Sequence, residues 1–315
     1  MGHDMDTTSL LSLDTARANG LKTDWDNLEI FVPWFLGRRI VEPRLADLIP
    51  FIDWTRFFAA TGVPGRFPAV LDDERHGARA RELHDHARQM LDRIVREKGL
   101  TPRGVYGFWP ANSIGDDIVV YKDDARASTL VRFHMLRQQE PAADGRPTLS
   151  LADFVAPKDS FAPDYIGAFA VTAGIGLDDL VRDYEADRDE ASAAVASAMA
   201  DRLADAFAES LHAQARKDWG YAEHEQLSAD NLIEGQYRGI RPAFGHPACP
   251  DRSQNEALFR LLHASDVGIT LTESFEMAPA ASVSGIYFAH PESAYFGIGA
   301  IGRDQIEDYA ERQGV

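Results

Sequence analysis

The chain has 315 residues, 45% of them hydrophobic, enough for one large domain or two modest ones with proper cores. Its 50 acidic side chains outnumber 32 basic ones, and the resulting charge of −18 argues against a nucleic-acid or anionic-membrane binder, so any bound anion must meet a local basic group. No apolar run approaches the roughly eighteen residues of a membrane span, and the start MGHDMDTTSL lacks the blocks of a signal peptide. The single cysteine, Cys249, excludes an intramolecular disulfide; a cytoplasmic protein is expected.

Residues 1–24 are polar with little apolar pattern, which predicts a mobile N-terminal arm and a folded body over 25–315. From Asp72 to Glu97 the residues Ala78, Leu83, Ala87, Met90, Leu91 and Ile94 recur at helical spacing, with Gly99 as the stop. TPRGVYGFWPAN, DDIVVYKDD and STLVRFHMLRQ then read as an antiparallel meander, and Tyr165–Val171 as a buried strand. Asp178–Lys217 turns helical, with Val195, Met199, Leu203, Phe207 and Leu211 on one side. Farther on, SVSGIYFAH and YFGIGAIG, joined by PESA, carry a hairpin signal, and RDQIEDYAERQGV closes the chain as a helix. Helices and antiparallel strands in blocks, without βαβ alternation, give an α+β fold.

Between these stretches lies RPAFGHPACP, residues 241–250. Pro242, Pro247 and Pro250 remove three backbone donors and extend the residues before them, while Gly245 permits a turn. Such a stiff ribbon leaves its other main-chain groups without regular partners. A planar heterocycle such as adenine would satisfy them edge-on, while Arg241 takes a carboxylate by a bidentate fork. A plain surface loop is the alternative. Asp201, Asp205 and His212 fall on one helical stripe, which suits either a cation or solvent. Asp53, in FIDWTRFF, is a lone acid among aromatic residues, placed to cap a turn or to face a positive group. VTAGIGLDDL touches the glycine-loop pattern of nucleotide folds but lacks its third glycine. Cys249 has no neighbouring base, and His134, His246 and His290 lack the spacing of a helical metal pair, so no metal site is proposed.

The run GIRPAFGHPACP, LTESF, ASVSGIYFAHPES and GRDQIEDYAERQG resembles the S-adenosylmethionine (AdoMet)-binding activation domain of cobalamin-dependent methionine synthase. The likeness extends upstream through IDWTRFF, TPRGVYGFWPAN, GDDIVVYKDD, LADFVAPKDS, DYIGAFAVTAG and MADRLADAFAESLH, and covers about residues 48–315. It implies a twisted antiparallel sheet flanked by helices and a repair role. Cobalamin that has lost an electron is remethylated from AdoMet while a flavodoxin or another one-electron donor supplies the electron. It also implies roles: Arg241 for the methionyl carboxylate, Asp53 for its ammonium, main chain at Ala243, Gly245 and His246 for adenine, Tyr295 and Phe296 in the pocket, and Asp201 and Asp205 near the sulfonium.

The chain departs from that family in carrying His246 and Phe296 where tyrosines are usual and Asp205 where glutamate is usual. An imidazole in place of a phenol brings a group that titrates near neutrality and reaches toward cobalt. No D-x-H-x-x-G cobalamin motif occurs, so a free-standing protein acting on a separate cobalamin-binding methionine synthase component is expected. The alternatives are reactivation of another corrinoid methyltransferase and a non-catalytic module that binds a corrinoid protein.

Overall fold

A computed structural model describes residues 10–142 and 144–314. The short helix α1 (Leu13–Ala18) leads through extended chain to strand β1 (Gly37–Val41) and the helices α2 (Leu45–Leu48), α3 (Trp54–Ala60) and α4 (Gly77–Glu97). Strands β2 (Thr101–Ile114), β3 (Asp117–Tyr121), β4 (Thr129–His134) and β5 (Tyr165–Ile175) follow. Helices α5 (Leu177–Ala186), α6 (Glu190–Asp218), α7 (Ala229–Ile233) and α8 (Asn255–Leu262) come next. The chain ends with the β6 (Thr270–Leu271) and β7 (Met277–Ala278) ribbon, β8 (Ser282–Tyr287) and α9 (Arg303–Gln313). No helix among the described residues is long and apolar enough to cross a membrane.

Five strands lie in the order β4-β3-β2-β5-β8, and β1 pairs with β2, all antiparallel. The 14 residues of β2 make this possible. One edge holds β1 along 104–108 and β3 along 111–114, while the other pairs with β5. Side chains alternate across the sheet with period two. Tyr106, Phe108, Phe169 and Val171 therefore meet α3, α4 and α6 on one face, whereas Val105, Trp109, Ala168 and Ala170 meet α8 on the other. Covering both faces explains why Tyr165–Gly174 is buried throughout rather than alternately. Truncating a fully buried ring such as Phe169 to alanine costs about 3–5 kcal/mol.

Helix α6 owes its length to Asp189, whose carboxylate accepts from the Ser192 N–H, and to its many alanines, which favour helix and let it lie close on the sheet. The meander, the buried strand and the closing helix occur as expected.

Four expectations are corrected. The expected arm over 1–24 has its first nine residues outside the described ones, and from residue 10 it lies against the body. Leu13 and Ala16 are buried, and Arg17 holds Asp116 at 2.8 Å and Asp308 at 2.8 Å. The first long helix starts at Gly77 instead of Asp72, and its left-handed stop is Lys98, at φ +55°, instead of Gly99. The second helical stretch is two helices, broken at 187–189. No hairpin joins SVSGIYFAH to YFGIGAIG. The free edge of β8 is taken by the proline ribbon, and Ile298 donates instead to the Pro247 carbonyl at 2.9 Å.

Candidate functional site

The ribbon adds a partial strand to the sheet. Ile240 and Phe288 exchange main-chain bonds of 3.2 and 3.0 Å, and Ile286 donates to the Pro242 carbonyl at 3.1 Å. Proline tolerates this edge because only its carbonyl is used. Close approach depends on Gly285, where a Cβ would lie 2.6 Å from the Pro242 oxygen. Past Pro242 the chain folds back through Gly245, at φ +102°, whose N–H reaches the Cys249 carbonyl at 2.8 Å. The Cys249 thiol donates to the Ala243 carbonyl at 3.0 Å and burial pushes it up to about 12, so it is a buried fastener of the turn.

The other edge of the ribbon faces a cleft of about 620 Å³. There Arg241 donates its N–H to the Tyr295 hydroxyl at 3.0 Å, and the Ala243 N–H finds no partner among the described residues. Asp53, Arg56, Asp205, Glu209, Tyr237 and His246 complete much of the lining.

Each wall is set by local structure. Asp53 caps α3, its Oδ1 accepting from the Arg56 N–H at 3.0 Å and its Oδ2 lying 3.3 Å from Arg56 Nε, so capping and facing the cleft are one placement. Asp205 sits 3.2 Å from Arg202. From it a stripe at spacings of four, three and four runs along α6 through Glu209, His212 and Arg216, from the cleft into the core.

Arg241 is only 20% exposed. It reaches Glu209 Oε2 at 2.6 Å, His212 Nδ1 at 3.3 Å and the Tyr237 hydroxyl. Despite burial, the Glu209 carboxylate holds the guanidinium in its charged form. His212 stacks on Tyr287, with ring centroids 4.8 Å apart and planes within 4°. Burial, then Arg241 and Arg216, holds its pKa well below the ordinary 6.5, so the ring is neutral and accepts at Nδ1. Burial likewise pushes the Tyr237 phenol up to about 12. His246 lines the cleft mouth beside Tyr295, with ring centroids 5.2 Å apart. Its Nδ1 accepts from the Ala248 N–H at 3.0 Å, which leaves Nε2 with the hydrogen of the neutral ring, and burial lowers its pKa.

Of the expected site residues, Asp53, Asp205, Arg241, Ala243, His246 and Tyr295 meet in this cleft. Three do not line it. Gly245 shapes the turn behind it, Asp201 is exposed one helical turn away, and Phe296 packs against Phe154 with ring centroids 6.3 Å apart. The shared cation site suggested for Asp201, Asp205 and His212 is also corrected: His212 is fully buried and its Nδ1 accepts from Arg241 at 3.3 Å, while Asp201 is exposed. The glycine turn at 173–178 serves packing, because a Cβ on Gly176 would lie 2.4 Å from the Gly99 carbonyl and β5 has antiparallel neighbours on both sides. Sequence reasoning missed Glu209 and Tyr237. Glu209 stands four residues after Asp205, a spacing that marks it as the next acid along the same face.

The family described as "Vitamin B12 dependent methionine synthase, activation domain" matches residues 44–314. Among solved structures, the MetH reactivation domain bound to AdoHcy (S-adenosylhomocysteine) is similar, at 46% identity over 98% of this chain and 95% of that one, with a TM-score of 0.95. The sheet order, the proline ribbon and the cleft thus occur in a chain that belongs to the activation-domain family of vitamin B12-dependent methionine synthase.

Proposed function

We propose that this chain binds AdoMet in the cleft between the ribbon and α6, and presents its methyl group to a cobalamin carried by a separate methionine synthase component, as a flavodoxin or similar donor delivers one electron. The observation that carries this reading is the composition of one wall. The extended main chain from Arg241 to Ala243 offers an unpaired N–H beside a largely buried guanidinium, with acids opposite. That is what a nucleoside joined to an amino acid requires. The similar reactivation domain with AdoHcy bound supports it.

The adenine edge pairs with main chain at Ala243 and at the turn through Gly245 and His246, a surface held rigid by Gly285 and the Cys249 fastener. Arg241 takes the methionyl carboxylate, Asp53 the ammonium, and Tyr295 closes the pocket. Asp205 favours the sulfonium charge more than neutral AdoHcy, which helps product leave after transfer. During transfer the bond from methyl to sulfur breaks and its electron pair stays on sulfur. Cobalamin, when its carrier brings it, supplies the cobalt centre that accepts the electron and the methyl group. His246, at the cleft mouth, offers an Nε2–H to that visitor.

Calorimetric titration with AdoHcy gives saturable one-to-one binding on this account, and a single-turnover assay with AdoMet, a reductant and a carrier loaded with oxidised cobalamin gives methyl transfer. Absence of heat at millimolar AdoHcy overturns the reading.

A further inference from the structure

We propose that Glu209 makes the cleft selective for a zwitterionic amino-acid end over a bare carboxylate: one oxygen fixes Arg241, and the other receives the ammonium alongside Asp53. This deepens the reading above and rests on it.

The first support is a donor balance. A guanidinium has five N–H donors. In Arg241, both hydrogens of Nη1 are taken by Tyr237 and His212, and one of Nη2 by Glu209. Nε–H and one Nη2–H remain free among the described residues, the two donors that a carboxylate takes bidentately. Glu209, His212 and Tyr237 are thus positioning residues that leave Arg241 one fork to offer.

The second support is charge. Arg241 and Glu209 form a neutral pair, and His212 beside them is neutral. Asp53 is paired with Arg56, and Asp205 with Arg202. A bare carboxylate landing on Arg241 adds an uncompensated negative charge a few ångströms from the buried Glu209. An ammonium on the same ligand removes that excess. Glu209 is 6% exposed, and its Oε1 is buried without a hydrogen-bond partner, an acceptor whose desolvation is otherwise uncompensated.

Three nucleosides test this by calorimetry: AdoHcy, its deamino analogue with carboxylate but no ammonium, and 5′-methylthioadenosine with neither. The wild-type chain binds AdoHcy at least about tenfold more tightly than the deamino analogue. In Glu209→Gln, which keeps the shape and an acceptor for Arg241 but loses the charge, that ratio falls to about twofold or less, while 5′-methylthioadenosine stays within about twofold of wild type. Glu209→Asp retains the preference. An unchanged ratio in Glu209→Gln, or equal weakening of all three ligands, overturns the proposal. If Glu209→Gln does not fold, the wild-type ratio decides alone: equal affinity for AdoHcy and its deamino analogue is fatal to it. Wild type that binds none of the three instead removes the assignment of the cleft.

Discussion

Two buried arginines at separate places in the molecule differ in what they leave over. Arg137, on the chain after β4, gives Nε to Asp116 at 2.8 Å, Nη1 to the Thr148 carbonyl at 2.7 Å and to Asp153 at 2.8 Å, and Nη2 to Asp153, with Nη2 also in ion-pair contact with Asp116 Oδ1 at 2.8 Å. Four hydrogen bonds and the Nη2–Asp116 contact leave none of its nitrogens unpaired, and the same acids reach onward: Asp116 also binds Arg17 of α1, while Gln305 of α9 brackets the Arg137 main chain. Arg241 has the same chemistry, is 20% exposed against 5% for Arg137, and spends only three donors on the protein. The first arrangement is a knot that holds α1 and α9 to the sheet. The second is a held tool. Ion pairing does not separate the two roles; the unspent donors do.

The sharpest way to break that comparison is Arg137→Met. It leaves the buried Asp116 with Arg17 alone and Asp153, whose side chain is 11% exposed, with no cation, and should cost about 3–5 kcal/mol in urea unfolding, with AdoHcy affinity of the folded protein within about twofold of wild type. Arg241→Lys inverts the pattern. The ammonium still compensates Glu209, so stability falls by only about 1 kcal/mol, but the fork is lost and AdoHcy affinity drops by about 2–3 kcal/mol, some 30- to 150-fold by calorimetry.

Acid distinguishes the two regions next. His212 has a folded pKa depressed below its unfolded 6.5, so the unfolded chain binds the proton first. The stability tied to a neutral His212 is complete above 6.5 and is lost as pH falls below it, by about 1.4 kcal/mol per unit. Beside the knot, Asp308, which pairs with Arg17 and Arg312, and Asp117, which pairs with His134, Arg132 and Arg312, have pKa values lowered from 3.8 by these partners against the opposing effect of burial, so their contribution persists until pH falls below 3.8. Between pH 7 and 5, His212→Gln should therefore show an unfolding free energy that falls less steeply than wild type, by up to about 2 kcal/mol over the interval. Equal slopes contradict a neutral His212. The smallest effect is expected on α6. Asp205→Asn weakens AdoMet relative to AdoHcy by about 0.5–1 kcal/mol, whereas Asp201→Asn, outside the cleft, leaves the ratio of the two affinities unchanged.

What the sequence discloses follows the reach of each signal. The β-rich run of β2 and the apolar run of β5 belong to strands buried on both sheet faces, so these strands are legible. The position of Asp53 before WTRFF discloses its cap. The edge partner of β8 is not legible, because the competing candidate lies next to it in the chain and the actual one comes from about forty residues upstream. The packed segment after residue 10 escapes periodicity because Arg17 and two small apolar contacts hold it instead of an amphipathic face. Arg241 is identifiable as a binding residue from its ribbon, but its clamp is not. Glu209 looks like an ordinary member of a long helix, and His212 like a companion of Asp201 and Asp205, until the fold turns their stripe toward the guanidinium.

The most direct test is a crystal structure of the chain grown with AdoMet. The account predicts the adenine edge on the main chain at Ala243, the carboxylate on the Nε and Nη2 edge of Arg241, and the methyl directed out of the cleft mouth. A nucleoside at the Gly174–Gly176 turn, or a methyl pointing into the core, contradicts it.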